Sequence, residues 1–295
     1  MFETTRIPYA AREGQQLWPD GARMAVLVYT AAEQWQWYEN ETIKAIGTFT
    51  GGRGSAPSAS TRSAVAYGFE VGLPRIAEIF REFGMSTTLW ASGVAVEQYP
   101  DAVAALAADG HELGCHGYSQ GAVMAQLSRG EQQEAIGRSV ELLRSVSGET
   151  PTGWVSPGAE SNDETVELLA EAGFDYHGDR QDDELPYLLH APAKTLVEVP
   201  YRVAGNLNDI PLLTRTITSV SAAARHVTDA FDAYYEAAAT RPLLFNYGTH
   251  PYISGRPDNA KVLRALLEHI HRHDDVWVTN YREVAVWWRQ TQVSA

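Results

Sequence analysis

Apolar and polar positions follow two rhythms along this chain, and together they outline a repeating fold. Met24–Tyr29, MAVLVY, is an unbroken apolar run, which is how a strand buried on both faces reads. Downstream, strand and helix patterns alternate. Strands are expected at Ser86–Ala91, His111–Cys115, Gly153–Ser156, Asp175–Gly178, Thr195–Pro200, Leu243–Tyr247 and Val276–Thr279. Helices are expected at Gly72–Phe83, Ala95–Ala108, Arg129–Val146, Asp163–Ala172, Val220–Ala239, Asn259–Arg272 and Arg282–Arg289. Ser128 can cap the third of these, with Glu131 completing a capping box. Right-handed βα units repeated in this way predict an α/β fold. Its simplest form is a distorted (β/α) barrel of about seven to eight parallel strands. No linker interrupts the pattern, so residues 1–295 read as one catalytic domain. Arg6–Gly21 reads as an extended arm. Thr48–Thr61, rich in Gly, Ser, Thr and Pro, reads as a long mobile loop that serves as a lid or a subunit contact.

In such a fold the loops after the strands line the ligand site. Strand exits gather Glu33, His116, Ser119, Gln120, Ser156, Asp179, Asp182, Asp183, Asn208, Asp209 and His250 at one mouth. The catalytic candidates are His116, His250 and Glu33. Tyr29, Trp35, Gln120, Ser156, Asp183 and Asn208 are the candidates for holding substrate, and the aromatic exit loop (Tyr29, Trp35, Trp37, Tyr38) suits a small flat ring. Plainer roles stand beside these. Asp182, Asp183 and Asp209 can simply tie loops, Cys115 reads as a small buried residue, and His111 sits at the wrong end of its strand. His269, His271 and His273 read as a solvated helix face. Ser156 lies in SPG and not in G-x-S-x-G, so it makes a weak nucleophile.

GHELGCHGYS, WVSPG with the helix ETVELLAEAGFDY, DDELPY, NLNDIPLL and YGTHPYISGRP together resemble the polysaccharide deacetylase superfamily, with its chitooligosaccharide-deacetylase-like fold. Within it, the chain resembles the branch that includes an allantoinase and cyclic-imide hydrolases. The resemblance implies hydrolysis of a non-peptide, amide-type C–N bond, with His250 in the motif the family uses for its general acid. It also exposes departures. Deacetylases of the superfamily hold a divalent metal with an aspartate after the first strand and an H-x-x-x-H pair. Here those positions are Ala31 and the pair His116/Gln120. Ala offers no ligand, and one imidazole with a carboxamide makes a poor zinc site. The expectation is therefore no firm cofactor; if zinc binds, His116 and Glu33 are the ligands. Ring opening of a small cyclic amide or imide with little or no metal dependence is the leading function. A metal-dependent N-deacetylase using Glu33, and a pseudoenzyme that binds without turnover, are the alternatives.

Composition narrows the partners. A net charge of −14, from 37 acidic and 23 basic residues, disfavours nucleic acid and anionic membranes. No Gly-rich phosphate loop occurs in a strand–turn–helix context. One cysteine, no apolar membrane-length run and a polar start predict a cytoplasmic protein with a small-molecule substrate. The Trp287-Trp288 pair reads as core or subunit contact, and a dimer or tetramer is expected.

Overall fold

The structure is a computed structural model and describes residues 2–36, 59–200, 207–217 and 219–293. Its strands are β1 (Glu3–Thr5), β2 (Met24–Ala32), β3 (Thr88–Ala91), β4 (Glu112–Cys115), β5 (Gly153–Trp154), β6 (Tyr176–His177), β7 (Tyr187–His190), β8 (Thr195–Glu198), β9 (Leu243–Thr249) and β10 (Val276–Thr279).

All nine residues of β2 are buried, because the strand is paired on both edges and covered on both faces. One edge takes β9, in register from Met24↔Leu243 to Thr30↔Thr249. The other edge is shared: β10 pairs with Met24–Leu27, and β3 with Tyr29–Ala32. From β3 the sheet continues through β4, β5, β6 and β8, all parallel. β7 runs antiparallel to β8, and β1 antiparallel to β7. Eight strands are thus linked by parallel pairing, as the alternating pattern implied. Among the described residues no ladder joins β8 to β9. The two sides meet where Leu244 N–H donates to the Glu184 carbonyl and the Asn246 amide donates to the Pro200 carbonyl.

Period two sorts the side chains into an inside and an outside. Met24, Val26 and Val28 point outward, against Ile76, Phe80, Val227 and Leu266. Ala25, Leu27 and Tyr29 point inward, packing with Trp90, Val155, Tyr176, Val197 and Leu244. Gly114 makes that interior possible, since a Cβ there would lie 2.2 Å from the Trp90 ring. Trp288, Tyr281 and Trp18 join the same cluster, so Trp288 is core.

Helices cover the outside: α1 (Ala59–Tyr67), α2 (Leu73–Glu82), α3 (Gly93–Gln98), α4 (Pro100–Ala108), α5 (Arg129–Ser147), α6 (Asp163–Glu171), α7 (Val220–Ala238) and α8 (Ala260–Ile270), whereas α9 (Tyr281–Val293) packs Tyr281, Val284 and Trp288 into the inner cluster. The capping box at Ser128–Glu131 forms as the sequence implied. The helix expected at Ala95–Ala108 is two helices, because Pro100 has no N–H to continue the first and starts the second. The arm expected to be extended over Arg6–Gly21 contains two 3₁₀ turns, at Tyr9–Arg12 and Pro19–Gly21, and β1 lies just ahead of it. Residues 59–61 of the expected loop begin α1, and 48–58 lie outside the described residues, as do Trp37 and Tyr38. β7, hidden after DDELP, went unread: its four residues are too few to show a period.

Candidate active site

The inward phase of β2 passes through Tyr29 and Ala31 and delivers Glu33 just beyond the strand end. His116 follows β4, and His250 follows β9. Glu33 Oε1 lies 3.5 Å from His116 Nε2 and 3.5 Å from His250 Nε2, so the carboxylate stands between the two imidazoles. Tyr252 O–H donates to Glu33 Oε2 at 2.9 Å and fixes the carboxylate's rotation. Each ring is held from behind. His116 Nδ1–H donates to the Val155 carbonyl at 2.8 Å, which leaves Nε2 to face the cavity. His250 Nδ1–H donates to Asp209 Oδ1 at 2.6 Å. The fully buried Asp209 also accepts His250 N–H at 2.7 Å and Ser254 O–H at 2.6 Å on Oδ2. The turn carrying His250 is seated against α1 and α2 through glycine: a Cβ on Gly72 would lie 2.1 Å from the Pro251 carbonyl oxygen.

These contacts set the charges. Burial alone would drive His250 toward its neutral form. The carboxylates of Glu33 and Asp209 outweigh burial and push its pKa up to about 10. Burial likewise works against the Glu33 carboxylate, but His250 and His116 hold its pKa far below the usual range. At neutral pH the centre is a carboxylate beside an imidazolium.

A cavity of ≈ 320 Å³ opens over this group, lined by Glu33, His116, Gly158, Ala159, Asn208, Ile210, Pro211, Arg215 and His250. Asn208 Nδ2 donates one proton to Tyr29 O–H at 3.3 Å and has a second to offer. Arg215 and Tyr252 are the residues here that motif reading missed, and Asp209, expected at this mouth, is the residue that positions His250. The other substrate candidates stand apart from the cavity wall. Tyr29 is interior core that supports Asn208, and Trp35 packs on Tyr252. Ser156 points outward, one position beyond inward Val155, and its Oγ accepts the Trp154 indole N–H at 2.9 Å. Gln120 Nε2 donates to the His116 carbonyl at 2.6 Å. Asp183 pairs with Arg12 at 2.8 Å. It lies at the opposite end of the sheet, since the adjacent Glu184 bonds the start of β9.

The donor set does not suit the divalent metal that the resemblance implies. Ala31 faces inward where an aspartate would ligate, and Gln120 spends its amide on backbone. Glu33, His116 and His250 are not a cluster whose ligand atoms all fall within 4.8 Å of one another. Among the described residues only Asp232, His269 and His273 meet that condition, and they sit at the other end of the sheet.

A β/α barrel-like sheet with a buried carboxylate–imidazole centre at its C-terminal mouth defines a hydrolytic enzyme fold. A polysaccharide deacetylase profile matches residues 58–177. Over 82% of its length the chain is 28% identical to the peptidoglycan deacetylase of Helicobacter pylori, covering 92% of that protein. PuuE allantoinase superposes with a TM-score of 0.85 at 26% identity, over 96% of each chain. A putative polysaccharide deacetylase from Mycobacterium smegmatis superposes at 0.78 with 28% identity, over 93% of each. The chain thus carries a polysaccharide deacetylase domain over residues 58–177 and is similar along most of its length to deacetylases and to an allantoinase, which supports a hydrolase of non-peptide C–N bonds. No helix among the described residues is long and apolar enough to cross a membrane.

Proposed function

We propose that the enzyme opens a small cyclic amide or imide by adding water, using its own side chains for every proton transfer. The observation that carries this reading is Glu33 standing between the Nε2 atoms of His116 and His250 in a cavity of ≈ 320 Å³. That volume accommodates one small ring better than a polymer. Water placed above the pair gives a proton to His116 Nε2 as its oxygen attacks the carbonyl carbon. The second Asn208 N–H is placed to donate to the developing oxyanion. His250, already protonated, gives its Nε2 proton to the departing ring nitrogen, and the C–N bond breaks. One imidazole gains a proton while the other loses one. In the tetrahedral intermediate both imidazoles are cationic and the oxyanion balances the added charge; once the nitrogen has left, Glu33 again has a single cationic neighbour. An imide or hydantoin-like ring suits this chemistry, because its carbonyl is more electrophilic and its nitrogen leaves more readily than in an acetamide.

A panel of cyclic amides and imides, scored by a mass gain of one water and repeated after chelation, tests the proposal. Hydrolysis of at least one ring that survives chelator is expected. Acetate release from N-acetylated glycan fragments with every ring untouched, or turnover lost on chelation, would replace it with the deacetylase reading.

A further inference from the structure

The one convergence of metal-binding side chains found among the described residues lies far from the catalytic mouth. Asp232 projects from α7, and His269 and His273 from the end of α8 and the turn after it. One ligand atom from each lies within 4.8 Å of the others. The site is at the N-terminal end of the sheet. Tyr235, one helical turn beyond Asp232, donates its hydroxyl to Asp275 Oδ1 at 2.8 Å just ahead of β10.

Three features of this cluster go beyond a helix-surface ion pair. First, the two imidazoles, four positions apart across the C-terminal end of α8, have ring centroids 5.2 Å apart. Second, His273 Nδ1–H donates to the His269 carbonyl at 3.0 Å, which leaves its Nε2 with an unprotonated lone pair in the neutral ring. A backbone carbonyl in that position selects the tautomer of a metal-bound histidine in the same way. Third, the rings are seated on aromatic walls. Phe231 meets His269 at 5.6 Å and His273 at 5.1 Å, and Tyr235 meets His273 at 4.4 Å. All three ligating residues are partly buried, so their side chains are restrained before any ion arrives.

We infer that Asp232, His269 and His273 form a binding site for a divalent transition metal that ties α7 to α8. Two imidazoles and one carboxylate suit zinc and its neighbours in the first transition row; magnesium and calcium prefer all-oxygen sites. Ligand atoms around tetrahedral zinc stand about 3.4 Å apart, given bonds of about 2.1 Å. The Asp232–His269 contact of 2.6 Å must open by less than an ångström, and the other separations, none above 4.8 Å, must close by at most about 1.4 Å. Side-chain rotation supplies both, with water completing the shell. This site stands independently of the catalytic reading. It would brace the two helices that lead into β9 and β10, the strands flanking the start of β2.

The test uses full-length protein freed of metal by chelator, titrated with Zn²⁺ by calorimetry and with Co²⁺ by its visible absorption. One saturable equivalent per chain is expected. A zinc concentration a hundredfold above the dissociation constant should raise the melting temperature by about 5 °C or more. His273→Ala and Asp232→Asn should each weaken binding roughly tenfold or more while retaining the metal-free melting temperature. His116→Ala should bind as the wild type does. Absence of saturable binding by the wild type would overturn the inference. So would affinity unchanged in both cluster variants, and binding lost in His116→Ala would place the ion in the catalytic cavity instead.

Discussion

Replacing Asp209 by Asn removes one buried charge while keeping nearly the same shape, and it probes what keeps His250 protonated. The ring's pKa stands at about 10 against an ordinary 6.5, which corresponds to roughly 5 kcal/mol in favour of the imidazolium. Glu33 supplies the larger attraction and Asp209 the next, both acting against burial. An opposite charge at hydrogen-bond distance moves a pKa by about 1–3 units. The His250 titration should therefore fall by that amount in Asp209→Asn. In kcat/KM the alkaline limb, which marks loss of the acid, should move down with it. The titration is read directly from the His250 Cε1–H resonance in ligand-free enzyme, so the measurement does not depend on activity. Ser254→Ala is the control. It deletes the hydroxyl that donates to Asp209 Oδ2 at 2.6 Å but leaves the carboxylate, and the limb should shift by only a few tenths. A folded Asp209→Asn protein whose ring still titrates where the wild type does would refute the reasoning. Asp209 would then position the ring without setting its charge.

His250→Ala and His116→Ala should each lower turnover by roughly 10²–10⁴-fold with smaller effects on substrate binding; wild-type rates in both would move the chemistry elsewhere. Thermal stability should decline as pH rises from 6.5 to about 10. The raised pKa values of His250 and His177 stabilise the fold fully below 6.5, and that contribution is gone once both rings lose their protons. On the acid side, the depressed Glu33 stabilises above 4.5 and is lost as pH falls; a melting temperature that stays level from 6.5 to 10 would contradict this account. Gly248→Ala should destabilise by about 1–3 kcal/mol and weaken substrate binding, because its Cβ would lie 2.1 Å from the Tyr29 hydroxyl that braces Asn208. Gly137→Ala, on α5 with open space around it, should instead stabilise by about 1 kcal/mol in the same denaturant titration.

What could be read from the sequence was governed by local pattern. β2 was visible because burial on both faces leaves a continuous apolar run, and its period-two phase carries Glu33 inward with Tyr29 and Ala31. The same phase contained the signal that Ser156 faces outward, since Val155 before it packs inside. Gln120 misled because H-x-x-x-H spacing says which positions are paired in a family, not where an amide turns once its partners are gone. Asp183 was unreadable for another reason. Its partners, Arg6 and Arg12, come from the N-terminal arm about 170 residues away, and no local pattern reports such a pairing. Asp209 was read as a residue that ties a loop, and it does meet backbone. Its second role appears only when β9 brings His250 against it across 41 positions.

A second buried imidazolium shows why charge alone could not have located the site. His177, fully enclosed, sits with Nδ1 2.7 Å from Glu198 Oε2 and Nε2 2.9 Å from Asp179 Oδ2. Burial disfavours its charge, but the two carboxylates push its pKa up to about 10, as for His250. Both imidazole nitrogens are engaged, and Asp179 Oδ1 takes Ser156 N–H at 2.7 Å, so this network ties β6, β8 and the end of β5 together. Its effect reaches the cavity only through backbone, by fixing the loop from which Gly158 and Ala159 form one wall. His250 differs in a single respect. Asp209 holds one nitrogen, and the other faces Glu33 and open space. Perturbed titration marks both clusters, but only a ring with a nitrogen left for substrate can move a proton.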